Sequence, residues 1–254
     1  IYWVGRHSEG ERLRCNPFMV LGGDEALLVD GGSRADFPAV MTQIFEAGID
    51  PAQIRVLVYQ HCDPDLCGSM QNMVEMCGGG EPVVLVAGNR IEFFKCYLHG
   101  SKHHLLTPIE KTRFTFALGP RVIRFLRIPF CHEAGSTATF DPATRTLFSS
   151  DLFGTYSTSW DLEAAFPAAC AGCDPTREEC PETHGPCAVA AILAFHRSVM
   201  PCEKALRHSI QRIRELDPIL IAPQHGGLIR GTRDISMILD KLEALEGVGI
   251  DGIV

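Results

Sequence analysis

The sequence predicts a layered α/β fold, and three observations predict it. Short apolar, β-branched runs such as Ile54-Arg-Val-Leu-Val58 and Pro82-Val-Val-Leu-Val86 alternate with a stretch of helical period over 36–48, which is the pattern of a sheet covered by helices. Arg113-Phe-Thr-Phe116 and Val122-Ile-Arg-Phe-Leu-Arg-Ile128 alternate apolar and polar residues, the period of half-buried antiparallel strands. Several strand-like runs also end in His or Asp, so pairing them would gather metal-competent side chains at one edge.

A chain of 254 residues with 46% hydrophobic content is long enough to bury one sizeable core. We expect a single domain over 1–254, with a cysteine-rich inserted loop at about 152–187. A net charge of −8, with 23 Lys and Arg scattered along the chain, argues against a nucleic-acid surface. No run approaches the ~18 apolar residues of a membrane span, and Ile1-Tyr-Trp-Val-Gly-Arg6 lacks the charged-then-apolar order of a signal peptide. Eleven cysteines without a secretion signal fit thiols or ligands in a reducing, cytoplasmic compartment.

Taken in order, Tyr2–Val4, Phe18–Leu21 and Glu25–Asp30 read as strands. Asp30, before Gly31-Gly32, has two readings: an acceptor that anchors a neighbouring loop, or a turn former. Phe37, Val40, Met41, Ile44 and Phe45 recur at helical spacing, with Gly48 as the stop. The run Ile54–Val58 then delivers Tyr59-Gln-His-Cys-Asp-Pro-Asp-Leu-Cys-Gly-Ser69. There His61, Asp63 and Asp65 occupy every second position. Pro64 forbids continuing a helix, so an extended turn would let the three side chains converge. An Asp-Pro-Asp after a strand is equally the pattern of a turn with local hydrogen bonds. Gly68-Ser69 opens a helix to Cys77, and Asn89 to Tyr97 reads as another with Ile91, Phe93 and Phe94 inward. His99, His103 and His104 share no carboxylate or cysteine and read as exposed loop residues.

The antiparallel strands lead to His132, and the pair Gly135–Pro142 and Thr146–Asp151 ends in a carboxylate. Residues 152–187 lack a period but contain Cys170, Cys173, Cys180 and Cys187. Three readings stand for these thiols: a tetrahedral metal site, a reversible disulfide, or unligated loop residues. Helices follow over 189–197 and 203–216, then Pro218–His225 reads as a strand presenting a histidine, and a last helix runs from Asp234 to Glu246.

The loop at 59–69 resembles the His-x-His-x-Asp-His loop of the metallo-β-lactamase superfamily, here His61-x-Asp63-x-Asp65-Leu66. Its carboxylate at the second position resembles the flavodiiron proteins, and a hard anionic oxygen in place of imidazole moves the preference from zinc toward iron or manganese. Asn16-Pro-Phe-Met-Val, His132-Glu-x-Gly-Ser, Phe140-Asp-Pro and Leu147-Phe-Ser-Ser-Asp-x-Phe-Gly154 resemble the same branch. Phe195-His-Arg, Met200-Pro, Ala205-Leu-Arg and Ile221-Ala-Pro-Gln-His-Gly are similar to the oxygen-binding diiron relatives that lack a flavodoxin domain.

The resemblance spans about residues 2 to 245 and implies a four-layer αββα sandwich with its site at one edge of both sheets. It implies two irons, the first held by His61, Asp63 and His132, the second by Asp65 and His225, with Asp151 bridging. Leu66 offers no donor atom where the pattern has His, and His196 is the candidate replacement ligand or a pocket residue. The implied function is binding, with or without reduction, of dioxygen or a related small oxidant such as NO, as a sensor or a detoxifying oxidoreductase. Electrons would come from an external protein, and a homodimer is the analogy-based expectation. The competing class is a dinuclear zinc hydrolase, in which a metal-bound water is the nucleophile; two zinc or manganese ions are the alternative to the two irons.

Overall fold

Apolar β-branched runs pair into two six-stranded sheets, and helices cover the outer face of each. The computed structural model describes residues 1–6, 14–156, 161–172, 179–180, 182 and 184–253. The first sheet runs in chain order: β1 (Tyr2–Trp3), β2 (Phe18–Gly22), β3 (Glu25–Val29), β4 (Ile54–Val58), β5 (Val83–Val86) and β6 (Leu106–Pro108). From β3 to β6 the strands are parallel. Their crossovers carry α1 (Phe37–Glu46), then α2 (Pro64–Cys67) and α3 (Met70–Met76), then α4 (Ile91–Phe94), because parallel neighbours need such a return path.

In the second sheet β7 (Thr115–Leu118), β8 (Arg121–Arg127), β9 (Thr137–Asp141) and β10 (Thr146–Phe148) form an antiparallel meander. The chain then makes α5 (Ala188–Val199) and α6 (Glu203–Arg214), adds β11 (Leu220–Ala222) parallel to β10, turns back as β12 (Ile229–Arg230) and ends in α7 (Thr232–Glu243).

Alternation along the strands sorts side chains into three cores. Val56 and Val58 of β4 join Phe18, Phe125 and Phe148 between the sheets. Leu57 faces outward with Val40, Ile44 and Met73 of the helices. Beyond the second sheet, Phe140, Leu147 and Ile221 pack on Ile192, Leu206, Ile210 and Leu239. This is the expected αββα sandwich. Burial rather than propensity holds α6, whose apolar face carries Leu206, Ile210 and Ile213 and whose other face is charged.

Some local expectations fail for identifiable reasons. The strands β6 and β12, of 3 and 2 residues, are sheet edges too short to show a period. The segment read as one helix over 89–97 is an α-turn between two 3-10 turns, so the 3.6 period does not run through it. Phe93 accordingly lies 51% exposed beneath the Arg90 guanidinium, 3.9 Å from its ring centroid, while Phe94 is buried. Phe45, at the end of α1, also faces out.

Two backbone bonds join the sheets at one edge. Thr137 N–H donates to Gln60 O at 2.8 Å, and Asn16 N–H donates to Gln224 O at 2.8 Å. The carboxyl ends of β4, β10 and β11 meet there.

Candidate metal centre

The loop after β4 differs from the expected extended turn. Asp63 is extended (φ −80°, ψ 152°) and caps α2, with Pro64 in the first helical turn. Proline starts this helix rather than preventing it, since the first turn needs no N–H from that residue. Asp65 lies in the same turn, and Leu66 is fully buried in the outer core of the first sheet, facing away from the donors. Asp30 anchors the loop: its carboxylate accepts Gln60 N–H at 3.0 Å and Gln60 Nε2–H at 3.1 Å. Burial nevertheless pushes its carboxyl up to about 7. Gly31 is required beside it, because a Cβ there would lie 2.7 Å from Ser69 Oγ and 2.9 Å from Tyr59 Oη.

Asp151 is the hub. Its Oδ2 lies 3.0 Å from His132 Nε2, and its Oδ1 lies 3.7 Å from His61 Nε2 and 3.6 Å from His225 Nε2. Asp63 Oδ2 is 3.2 Å from His132 Nε2 and 3.9 Å from His61 Nε2. On the other side, Asp65 Oδ2 is 3.4 Å from His225 Nε2. Among the described residues, the only group of three or more His, Cys, Asp or Glu donors whose atoms all lie within 4.8 Å of one another is His61, Asp63 and His132. The second pair, Asp65 and His225, reaches this group through Asp151.

Partners on the far side of each ring aim the nitrogens. His225 Nδ1–H donates to Arg14 O at 2.6 Å, which turns Nε2 toward the aspartates. His61 Nδ1 is 2.9 Å from Ser150 Oγ. Gln224 Nε2–H donates to Asp65 Oδ2 at 2.8 Å, and Asn16 Nδ2–H holds the carbonyls of Pro223 and Gly226 on either side of His225. Sequence reasoning missed Ser150 and Gln224. Their one available signal was adjacency to Asp151 and His225.

This donor set fits a metal. Two ligand atoms each ~2.1 Å from one ion lie ~3 to 4 Å apart, the range found here. Asp151 Oδ1 is buried and has no hydrogen-bond partner, an arrangement that costs free energy unless a cation satisfies it. Burial alone would raise the Asp151 carboxyl, but the charges of His61, His225 and His132 and the His132 hydrogen bond hold it well below the usual range. Burial likewise opposes charge on His132, yet the Asp151 and Asp63 carboxylates raise it to about 10. The His132 hydrogen bond lowers Asp63. In the metal-free chain a proton therefore sits where a cation would compete for the same carboxylates.

The remaining candidates lie apart from these donors. His196 is fully buried. Its Nδ1–H donates to Ile192 O at 2.6 Å, and its Nε2 accepts Phe153 N–H at 3.0 Å. Both ring nitrogens are engaged, so of the two readings of His196, replacement ligand for Leu66 or pocket residue, the geometry speaks against the ligand. Cys170, Cys180 and Cys187 are buried in the outer core of the second sheet, where Cys187 Sγ accepts Ala190 N–H at the start of α5. Cys173 lies outside the described residues. His103 bonds to the Lys95 and Leu98 carbonyls and His104 to Glu81. Over His225 stand the Phe195 ring at 6.1 Å and the Tyr156 ring at 6.3 Å between centroids.

Two stacked sheets flanked by helices, with a His and Asp site on their common edge, define a metallo-β-lactamase-type fold. Residues 13–226 match the family described as ODP family beta lactamase, and the chain belongs to it. A structure of the chemotaxis sensor ODP, described as its peroxy diiron species, superposes with a TM-score of 0.76 at 19% identity, covering 99% of this chain and 93% of that one. The flavodiiron protein of Giardia intestinalis gives a TM-score of 0.75 at 17% identity over 95% of this chain and 57% of its own. The type A flavoprotein fprA of Rhodobacter capsulatus is 22% identical over 241 residues, 91% of this chain. This chain spans about half the length of that flavoprotein, 51%. Among the described residues no helix is long and apolar enough to cross a membrane.

Proposed function

We propose that the chain is a non-haem diiron protein that binds dioxygen or a related small oxidant, as a sensor or as a reductase supplied with electrons from outside these residues. The observation that carries this reading is the buried Asp151 carboxylate, whose Oδ2 lies 3.0 Å from His132 Nε2 and whose Oδ1 lies 3.7 Å from His61 Nε2 and 3.6 Å from His225 Nε2, so that one carboxylate reaches the imidazoles of both proposed positions. His61, Asp63 and His132 would hold the first iron, Asp65 and His225 the second, and Asp151 both. The likeness to the peroxy diiron species of the chemotaxis sensor and to the Giardia flavodiiron protein supports iron. Three carboxylates suit iron better than zinc.

When bound, the irons would supply reversible redox chemistry and open positions for a small ligand. The protein's own part is geometric. Leu66 and His196 offer no further donor beyond these six residues, so the second iron would keep room for a small ligand. Phe195 and Tyr156 give the second position an apolar wall that admits a gas and limits water. Asp63 and His132 are partly exposed while His61, Asp151 and His225 are buried, so access is from the Asp63 side. A homodimer and a cytoplasmic location complete the reading, the latter from the thiol-rich composition. Metal analysis after aerobic and anaerobic purification tests it. We expect iron as the principal metal in both; zinc in both, with ester or lactone hydrolysis, would overturn it.

A further inference from the structure

The turn that carries Asp151 is held in an unfavourable backbone conformation. Ser150 (φ 56°) and Phe153 (φ 68°) both adopt the left-handed region, and neither is glycine, at a cost of ~1 kcal/mol or more each. Three local bonds brace it: Leu152 N–H to Ser149 O at 3.2 Å, Gly154 N–H to Asp151 O at 3.0 Å, and Ser149 Oγ–H to Leu152 O at 2.7 Å. None of them uses Phe153 N–H. That donor points into the second outer core, where a buried N–H without an acceptor is expensive.

His196 on α5 supplies the acceptor. The Ile192 carbonyl takes its Nδ1–H, which fixes the tautomer and leaves Nε2 as a lone pair aimed at Phe153 N–H. Burial lowers the ring to about 4, so it is neutral and stays an acceptor at physiological pH. The preceding side chain, Phe195, meets the other end of the same turn: a Cβ on Gly154 would come within 3.0 Å of its ring. Helix α5 therefore fits the Asp151 turn at two adjacent points.

We propose that His196 is a positioning residue for the dinuclear centre: by accepting Phe153 N–H it keeps the Asp151 turn in the conformation that holds the carboxylate between His61 and His132 on one side and His225 on the other. The proposal rests on the dinuclear reading of the site, but it does not depend on which metal or oxidant is physiological. A purely structural role, filling the core under α5, is the alternative it must beat.

The test uses cobalt(II), whose visible bands report ligand geometry without iron or oxygen chemistry. His196→Phe keeps the ring volume and removes the acceptor; His196→Gln restores an acceptor and a donor. We expect His196→Phe to weaken binding at both cobalt positions by about 10- to 100-fold, the usual effect of removing a supporting hydrogen bond at a metal site, and to change the band pattern, with His196→Gln recovering most of both. A His196→Phe chain that melts at a lower temperature but binds two cobalts with wild-type affinity and spectrum would overturn the proposal. If that variant does not fold, nitrogen-15 spectra of the wild-type imidazoles decide. His196 should show an Nδ1–H tautomer whose Nε2 gains no metal-bound shift when zinc is added, while His61, His132 and His225 do; a metal-bound shift at His196 would contradict it. Should iron loading give no response to oxygen while the cobalt results hold, the diiron function fails and the role of His196 stands.

Discussion

In the proposed centre both metal positions depend on Asp151, whose carboxylate lies within 3.0 to 3.7 Å of His61, His132 and His225. Asp151→Ala should therefore lose both irons, whereas His225→Ala should lose one; elemental analysis of the two variants checks the difference. Retention of one full iron equivalent by Asp151→Ala would remove the bridge from the account. Gln224 acts on one side only, through its 2.8 Å bond to Asp65. Gln224→Leu should weaken the second position about 10- to 100-fold and leave the first unchanged, as sequential metal titration would show. The convergence of the six candidate donors on one edge was legible in the sequence because each follows an apolar run that ends there. Ser150, Gln224 and the Arg14 carbonyl were not, because orienting a ligand requires only proximity in the fold and imposes no spacing along the chain.

At the scale of elements, helix α5 couples stability to pH through His196. Its folded value of about 4 lies below the ordinary 6.5, so between those values the unfolded chain binds the extra proton and the folded chain does not. Stability from this group is complete above about pH 6.5 and is lost as pH falls toward 4, by about 3 kcal/mol in all. Chemical denaturation of metal-free wild type and His196→Phe should show their stability difference narrowing by about that amount between pH 7 and pH 4; a constant difference would mean that the ring is not buried neutral. In the helix next to it, Leu206→Ala should cost about 2 to 5 kcal/mol by leaving a cavity in the second outer core without altering metal content. The helices could be read from period because each buries one face, and the central strands from continuous apolar runs because they bury both. The period was lost in the 3-10 turns around α4, and a proline read as a stop turned out to start α2. Both errors come from segments where capping and edge geometry, not face burial, decide the backbone.

For the whole molecule, the αββα architecture explains why distant residues make one site: the parallel strands of the first sheet and the parallel pair β10 and β11 of the second end at a common edge, joined by the Thr137 to Gln60 and Asn16 to Gln224 bonds. The order of chemistry-bearing strand ends and the resemblance it carries implied this arrangement before any coordinates. The central claim is that this edge holds two irons that meet dioxygen. The most direct measurement is anaerobic loading with ferrous iron followed by titration with dioxygen, monitored by visible absorption and iron analysis. The account predicts two irons per chain and a new absorption that saturates at one dioxygen per iron pair. Two tightly held zincs that ferrous iron cannot replace, with no absorption change on adding oxygen, would contradict it.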